Sequence, residues 1–186
     1  MRFSIVIPTF NNLDYLKLCI KSIKKNSKFD HEIIIHNNGK EELPSNFIEE
    51  NKITYSKTDY NAGICEGVNL GAKKSTTDYI VYAHDDFYFL PGWDVVFKKE
   101  IENLKTNLFY LSGTMVQNGQ VDFNCGENIK DFDEEKLLLN NSKIDYFDFQ
   151  GSTWAPHIIH KEVWNKVGGF SEEFFPGTGS DPDLNM

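Results

Sequence analysis

Nowhere along its 186 residues does the chain offer the roughly 18 consecutive apolar positions that a membrane-crossing helix requires. The amino-terminal MRFSIVIPTFNN holds an apolar run of five residues cut by Pro8, too short for a signal-peptide core. A cytoplasmic chain without a transmembrane segment is expected, and peripheral work at the inner face of a membrane stays compatible with it. Cysteine is scarce as well. Cys19, Cys65 and Cys125 are odd in number and widely spaced, with neither a CxxC spacing nor a disulfide framework, so a reducing compartment is the default. Positive charge is also in short supply. With 19 Lys and Arg against 28 Asp and Glu, the net charge is −9, which repels phosphate backbones and argues against nucleic acid as a partner. A nucleotide remains admissible, because a bound divalent cation reverses the local sign of the field.

What the chain does have is an ordinary globular composition with an aromatic surplus. Hydrophobic residues make up 40%, charged residues 25% and aromatics 14%, including 15 Phe and 8 Tyr. The length fits one domain, 1–186, with a sizeable core. Short apolar runs at Phe3–Ile7, Glu32–Ile35, Ile53–Tyr55 and Tyr79–Ala83 are separated by helix-like or polar stretches, the pattern of a parallel sheet covered on both faces. Leu16, Cys19, Ile20 and Ile23 repeat at helical spacing, with Asn12 placed to cap that helix and Asp14 in its first turn. A further helix is predicted from Gly63 to Lys74, presenting Ile64, Val68, Gly71 and Ala72 on one side. Residues 1–90 therefore read as repeated β-α units, a nucleotide-binding half-domain.

The second half, 91–186, reads differently. Phe97, Ile101 and Leu104 predict a helix after Pro91-Gly92. FYLSGTMV and VDFNC flank Asn118-Gly119, a strong hairpin signal. An acidic segment with one short helix follows, then strands in IDYFDFQ and GSTWAPHIIH, then a short helix stopped at Gly168-Gly169. This half is expected to be smaller and more antiparallel.

Open α/β sheets place ligands outside the carboxyl ends of their strands. Pro8-Thr9-Phe10-Asn11-Asn12, His36-Asn37-Asn38-Gly39 and His84-Asp85-Asp86 all fall on that edge. Each alone has an ordinary explanation in turn and capping chemistry. Their convergence shifts the balance, and the adjacent carboxylates Asp85 and Asp86 carry most of it. Two like charges at the end of a buried strand repel unless hydrogen bonds or a cation compensate, and a hard divalent cation would leave coordination sites for diphosphate oxygens. His157 and His160 also have suggestive spacing, but residues three apart on a strand point to opposite faces and would not share an ion.

SIVIPTFNN, NAGICEGVNLGA, YIVYAHDDFYFLPGWD and GSDPDL occur in the order found in family 2 glycosyltransferases, and the chain resembles that family along essentially its whole length. The resemblance implies the glycosyltransferase-A fold: a Rossmann-like, mostly parallel α/β sheet with helices on both faces and a smaller antiparallel second half. It also implies transfer of a sugar from a nucleoside-diphosphate donor, a UDP-sugar first, to a hydroxyl of a glycan or other acceptor. Inversion at the anomeric carbon is expected, and Mn²⁺ or Mg²⁺ is the expected cofactor. By the same resemblance Pro8, Thr9 and Asn11 lie by the base and ribose, and Asn37 stands where Asp usually contacts the pyrimidine. Asn61, Gly63 and Asn69 match a donor-side NxG…N segment. Asp86 is the expected metal ligand, with His84 in place of the commoner first Asp as a second, and Asp85 meets the ribose or sugar. Asp181 is the expected general base, Ser180 replaces a Glu, and Trp154 and Asp183 fall on the acceptor side. The substitutions at Asn37, His84 and Ser180 keep a second reading open, an inactive nucleotide-sugar- or carbohydrate-binding protein of the same fold. Family members usually continue past a point equivalent to Met186, so a truncated or short member is expected. A nucleotidyltransferase is disfavoured because Ile7-Pro8-Thr9-Phe10 offers no Gly-rich phosphate loop.

Overall fold

Successive side chains of a strand point to opposite faces, so a wholly buried strand must be covered twice. The first strand, β1 (Ser4–Thr9), is buried at every position and forms the centre of the sheet. In the computed structural model, which describes residues 1–117, 119, 121–144 and 155–185, the chain continues through α1 (Leu13–Asn26), β2 (Glu32–Asn38), α2 (Ser45–Asn51) and β3 (Thr54–Thr58). It then forms α3 (Gly63–Ala72), β4 (Tyr79–Tyr82), α4 (Trp93–Leu104), β5 (Tyr110–Ser112) and α5 (Glu134–Asn140). Last come β6 (His157–His160), α6 (Lys161–Val167) and the short α7 (Ser180–Asn185).

The strands form one six-stranded sheet in the order β3-β2-β1-β4-β6-β5. The first four are parallel, whereas β6 runs antiparallel to both β4 and β5. This is the mixed α/β fold expected, mostly parallel with an antiparallel part. Phe3, Ile5 and Ile7 pack with Leu16, Ile20, Ile23, Phe97 and Ile101 on one face. Val6 and Ile34 pack with Val68, Ala72, Ile159 and Trp164 on the other. Helix α3 lies so close to the sheet that a Cβ on Gly71 would sit 2.6 Å from a Val6 methyl, which explains why that helix carries glycine there.

Several local expectations change. Strands β1 and β2 run further than their apolar cores, so Pro8, Thr9, His36, Asn37 and Asn38 are strand residues and not loop. Ladder pairing extends them: Pro8 pairs with His36 and Thr9 with Asn37. Helix α2 has seven residues, too few to print a helical period on the sequence. Helix α3 stops at Ala72, leaving Lys73 as its C-cap and not in its last turn. Among the described residues the expected hairpin is reduced to a bridge between Val116 and Val121, and β5 pairs with β6. Asn118 of that turn, the strand expected in IDYFDFQ and Trp154 lie outside the described residues. Gly168 and Gly169, both at positive φ, end α6 as expected. Among the described residues no helix is long and apolar enough to cross a membrane.

One buried polar knot ties the two sides of β1 together. Asp94 is fully buried near the start of α4, and its Oδ2 accepts from the backbone amides of Lys28 and Phe29 at 2.7 and 2.9 Å. The His31 Nε2 lies 3.1 Å from the same oxygen, while His31 Nδ1 accepts the amide of Phe3 at 3.1 Å. His31 is therefore the Nε2–H tautomer, and burial lowers its pKa even against the pull of Asp94. Removing Asp94 takes the acceptor from three donors at once, the buried His31 among them. Asp94→Ala is expected to lower unfolding free energy by about 3 kcal/mol, read from urea denaturation.

Candidate functional site

The parallel strands end on one edge, and there a cleft of ≈ 320 Å³ opens. Pro8, Thr9, Phe10 and Asn12 line it from the end of β1 and the start of α1, and Asn38 from the end of β2. Asn61, Gly63 and Ile64 approach from the start of α3, and Tyr82, His84 and Asp85 from the end of β4. The segment Pro176-Gly177-Thr178, ahead of α7, closes the far wall.

The carboxylate of Asp85 is anchored across the sheet edge. Thr9 Oγ1 donates to its Oδ2 at 2.6 Å and Asn12 Nδ2 to its Oδ1 at 2.9 Å. Asn12 occupies the N-cap position of α1, but its side chain caps nothing and is spent on Asp85. Burial raises the pKa of Asp85, the Thr9 and Asn12 bonds oppose that, and the neighbouring Asp86 charge adds to it. His84 is kept neutral chiefly by burial, although both aspartates pull the other way. Its Nε2 lies 2.7 Å from the Tyr82 hydroxyl, and its ring stacks on Phe87 at 4.9 Å. Asp86 stands on the exposed side of the turn, beyond the cleft wall.

A divalent cation that keeps its waters and binds substrate phosphates needs one or two protein carboxylates, not a cage. Among the described residues no three His, Cys, Asp or Glu side chains converge as a cage. Asp85 has one hydrogen bond on each oxygen, and Asp86 is the freer carboxylate. The donor set thus fits a cation shared with a diphosphate and does not fit a permanent structural site. Among the described residues that line the cleft none is Lys or Arg.

Helix α3 begins at Gly63, whose φ of +70° suits glycine. Asn61 Oδ1 accepts the Gly63 amide at 3.0 Å, and the Pro176 carbonyl accepts the Ile64 amide at 2.7 Å. A Cβ on Gly63 would fall 2.9 Å from that same carbonyl. Backbone and glycine thus dock the 176–178 wall onto α3. Gly63→Ala is expected to cost roughly 1–3 kcal/mol of stability and to make the chain more easily nicked near residue 177, as limited proteolysis would show.

Not every expected residue reaches the cleft. The Asn37 amide donates to the Glu41 carbonyl at 2.6 Å and to the Tyr55 hydroxyl at 3.0 Å, on the sheet face opposite α3. Its neighbour Asn38 is the one that lines the cleft, held by a 2.9 Å bond to the Gly63 carbonyl. Strand alternation is the signal that could have separated them. Asn11 is exposed at φ +53° outside the lining, and Asn69 brackets Phe170 through 2.9 and 3.0 Å bonds far along α3. Asp183 is exposed on α7. Tyr82 and Thr178 were missed by sequence reasoning, since nothing in their spacing marks them, and Phe10 was placed on this edge without a role of its own.

Asp181 comes from the first turn of α7 and sits beside the start of β6, where His157 pairs with Tyr82 of β4. Its Oδ1 is buried and lies 3.6 Å from His157 Nδ1, while the side chain keeps 24% of its surface. Burial pushes its pKa up to about 6. His160, three residues on, instead accepts the Glu162 amide as N-cap of α6, so the two histidines do serve different surroundings.

A family model, glycosyl transferase family 2, matches residues 4–164. The chain belongs to that family. A relative described as an uncharacterized glycosyltransferase of Haemophilus influenzae is 26% identical over 173 residues, covering 90% of this chain and 56% of its own. The structure of S. aureus TarS 1-349 in complex with UDP superposes with a TM-score of 0.70 at 15% identity, over 100% of this chain and 54% of that one. The mannosyltransferase PcManGT of Pyrobaculum calidifontis, in complex with GDP-Man and Mn²⁺, gives 0.63 at 14%, over 97% and 49%. The family 2 chain described here therefore spans about half the length of these relatives, and its fold is theirs.

A carboxylate whose pKa is raised by folding destabilises the fold while it is charged. That cost is present above about pH 6 and is relieved as pH falls toward the ordinary value of 3.8. Asp181→Asn is accordingly expected to melt higher than the native chain at pH 7.5. The difference should close by pH 4, in thermal scans at both pH values.

Proposed function

We propose that the chain carries the catalytic centre of an inverting glycosyltransferase, which moves a sugar from a nucleoside-diphosphate donor to an acceptor hydroxyl in glycan or polysaccharide synthesis. The observation that carries this reading is the anchored Asp85 carboxylate lining a strand-edge cleft, with a second, half-buried carboxylate, Asp181, in the first turn of the helix that follows the 176–178 wall of that cleft. Family membership and the UDP and GDP-Man complexes of the two structural neighbours support the donor class, a UDP-sugar first.

In this reading Pro8, Thr9, Asn38 and Asn61 line the nucleotide end, Gly63 permits close backbone approach there, and Asp85 meets the ribose or sugar. A cleft with no Lys or Arg in its lining cannot neutralise a diphosphate by itself. A divalent cation, Mn²⁺ or Mg²⁺, held by Asp86 and beside His84, would supply that neutralisation. Asp181, charged above about pH 6 yet still a competent base, takes the acceptor proton. As the acceptor oxygen bonds to the anomeric carbon, the sugar–diphosphate C–O bond breaks and its electron pair leaves on the diphosphate. Asp85, the carboxylate in the cleft lining, has both oxygens engaged by Thr9 and Asn12 and does not stand ready as a covalent nucleophile, in keeping with direct displacement and inversion.

Calorimetric titration with UDP, GDP and dTDP sugars, with and without Mn²⁺, tests the donor. One of them, UDP first, is expected to bind with Mn²⁺ and weakly without it, and Asp86→Ala should lose that dependence. Binding of none would sink the reading, and binding without transfer to any acceptor in a broad panel would favour the inactive carbohydrate-binding alternative. Asp181→Asn is expected to lower kcat about 10²–10⁴-fold with donor affinity retained. Native kcat/KM should fall as pH drops below about 6.

A further inference from the structure

We propose that His157 is a positioning residue for the base: its imidazole holds Asp181 Oδ1 from the inner side and leaves the outer face of the carboxyl to the acceptor. The proposal rests on Asp181 being that base and extends it to a residue that never meets substrate.

Geometry carries the assignment. His157 is 1% exposed and sits on β6 opposite Tyr82 of β4 and Ser112 of β5. Its ring stacks on Tyr110 at a centroid distance of 4.6 Å and lies 6.1 Å from Tyr82, so two aromatic neighbours fix its plane. Its Nδ1 lies 3.6 Å from Asp181 Oδ1, an oxygen buried away from water. A contact of this length tightens to a hydrogen bond with a shift of a few tenths of an ångström, as catalytic contacts do when substrate arrives.

The chemistry of the surrounding groups narrows the role to this imidazole. Facing Asp181 are Tyr82 from β4, Tyr110 from β5 and Cys65 from α3. Burial pushes each above its ordinary pKa and the Asp181 charge adds to it, although a hydrogen bond with Ser180 draws Cys65 back, so all three stay neutral at physiological pH. Asp183 on α7 itself is exposed, and Glu172 adds negative charge near Cys65. Among the described residues no Lys or Arg pairs with Asp181, and His157 is its recorded basic neighbour. An N–H directed at Oδ1 favours the carboxylate over the acid, and it orients the carboxyl without taking the proton. In the transfer step the acceptor proton goes to Asp181, while the His157 proton stays where it was.

The test is a pH profile of kcat/KM for native enzyme, His157→Phe and His157→Leu, neither of which can donate to Oδ1. Phe keeps the stack on Tyr110 and loses the nitrogen. Both variants should lose at least about tenfold in kcat, hold donor KM within about twofold, and move the acid limb upward by about one pH unit, because the carboxylate has lost its partner. An acid limb unmoved from the native position in a folded variant would overturn the proposal, whatever the change in rate. Should neither variant fold, the His157 imidazole titration is followed by NMR in native enzyme and Asp181→Asn. Its midpoint should fall when the carboxylate is removed, and an unchanged midpoint overturns the proposal. Unimpaired transfer by Asp181→Asn would instead remove the base assignment beneath it. An inactive Asp181→Asn beside an unmoved limb in His157→Phe would remove the His157 role alone.

Discussion

Burying a carboxylate at the edge of a sheet costs several kcal/mol unless its oxygens find donors, and here that requirement organises the site. Asp85 follows the buried strand β4, where solvent alone cannot satisfy it. Thr9 and Asn12 supply the bonds, and in doing so they fix the turn after β4 against the end of β1 and the start of α1. The Cys19 thiol adds a 3.6 Å contact to the His84 carbonyl from beneath. The cleft therefore has a rigid floor, built from elements whose packing is already determined by the two hydrophobic faces of the sheet.

The opposite wall is made differently. Segment 176–178 docks onto α3 through a backbone bond, Ile64 amide to Pro176 carbonyl, at a helix start that only glycine allows to come so close. One side of the cleft is thus bonded by charge-assisted side-chain contacts and the other by main chain. Asp181 follows directly from that second wall. Its burial is a stability cost above about pH 6, and a group kept at such a cost is characteristic of a functional site.

The polar knot around Asp94 plays the corresponding role at the far end of the sheet. It gathers the Lys28–His31 turn, the start of β1 and the first turn of α4 into one buried unit. With that end pinned, the carboxyl ends of the strands are presented in fixed register, and the cleft inherits its geometry from the core. The two ends use the same device, a buried aspartate with several donors. They differ in outcome because Asp94 is fully enclosed, whereas Asp85 keeps one face toward the cleft.

Much of this was legible in the sequence. Apolar runs and helical periods gave the β-α units, the end of α6 at Gly168-Gly169 and the placement of Thr9 and Asp85 on one rim, because periodicity and backbone chemistry are local properties; Asn61 and Gly63 came from the family resemblance. Other matters were decided by tertiary structure alone. Strand pairing extended β2 through Asn38, and alternation then turned Asn37 toward Tyr55 and Asn38 toward the cleft, one residue from the expected side. Strand β6 entered beside β4 and drew β5 to it, so the pairing expected within residues 110–125 gave way to a long-range one. Asp181 acquired its raised pKa and its neighbour His157 from elements 24 residues apart in sequence, and no spacing rule encodes that contact. Sequence determines which face a residue offers, while the energy of burial across distant segments decides what that face meets.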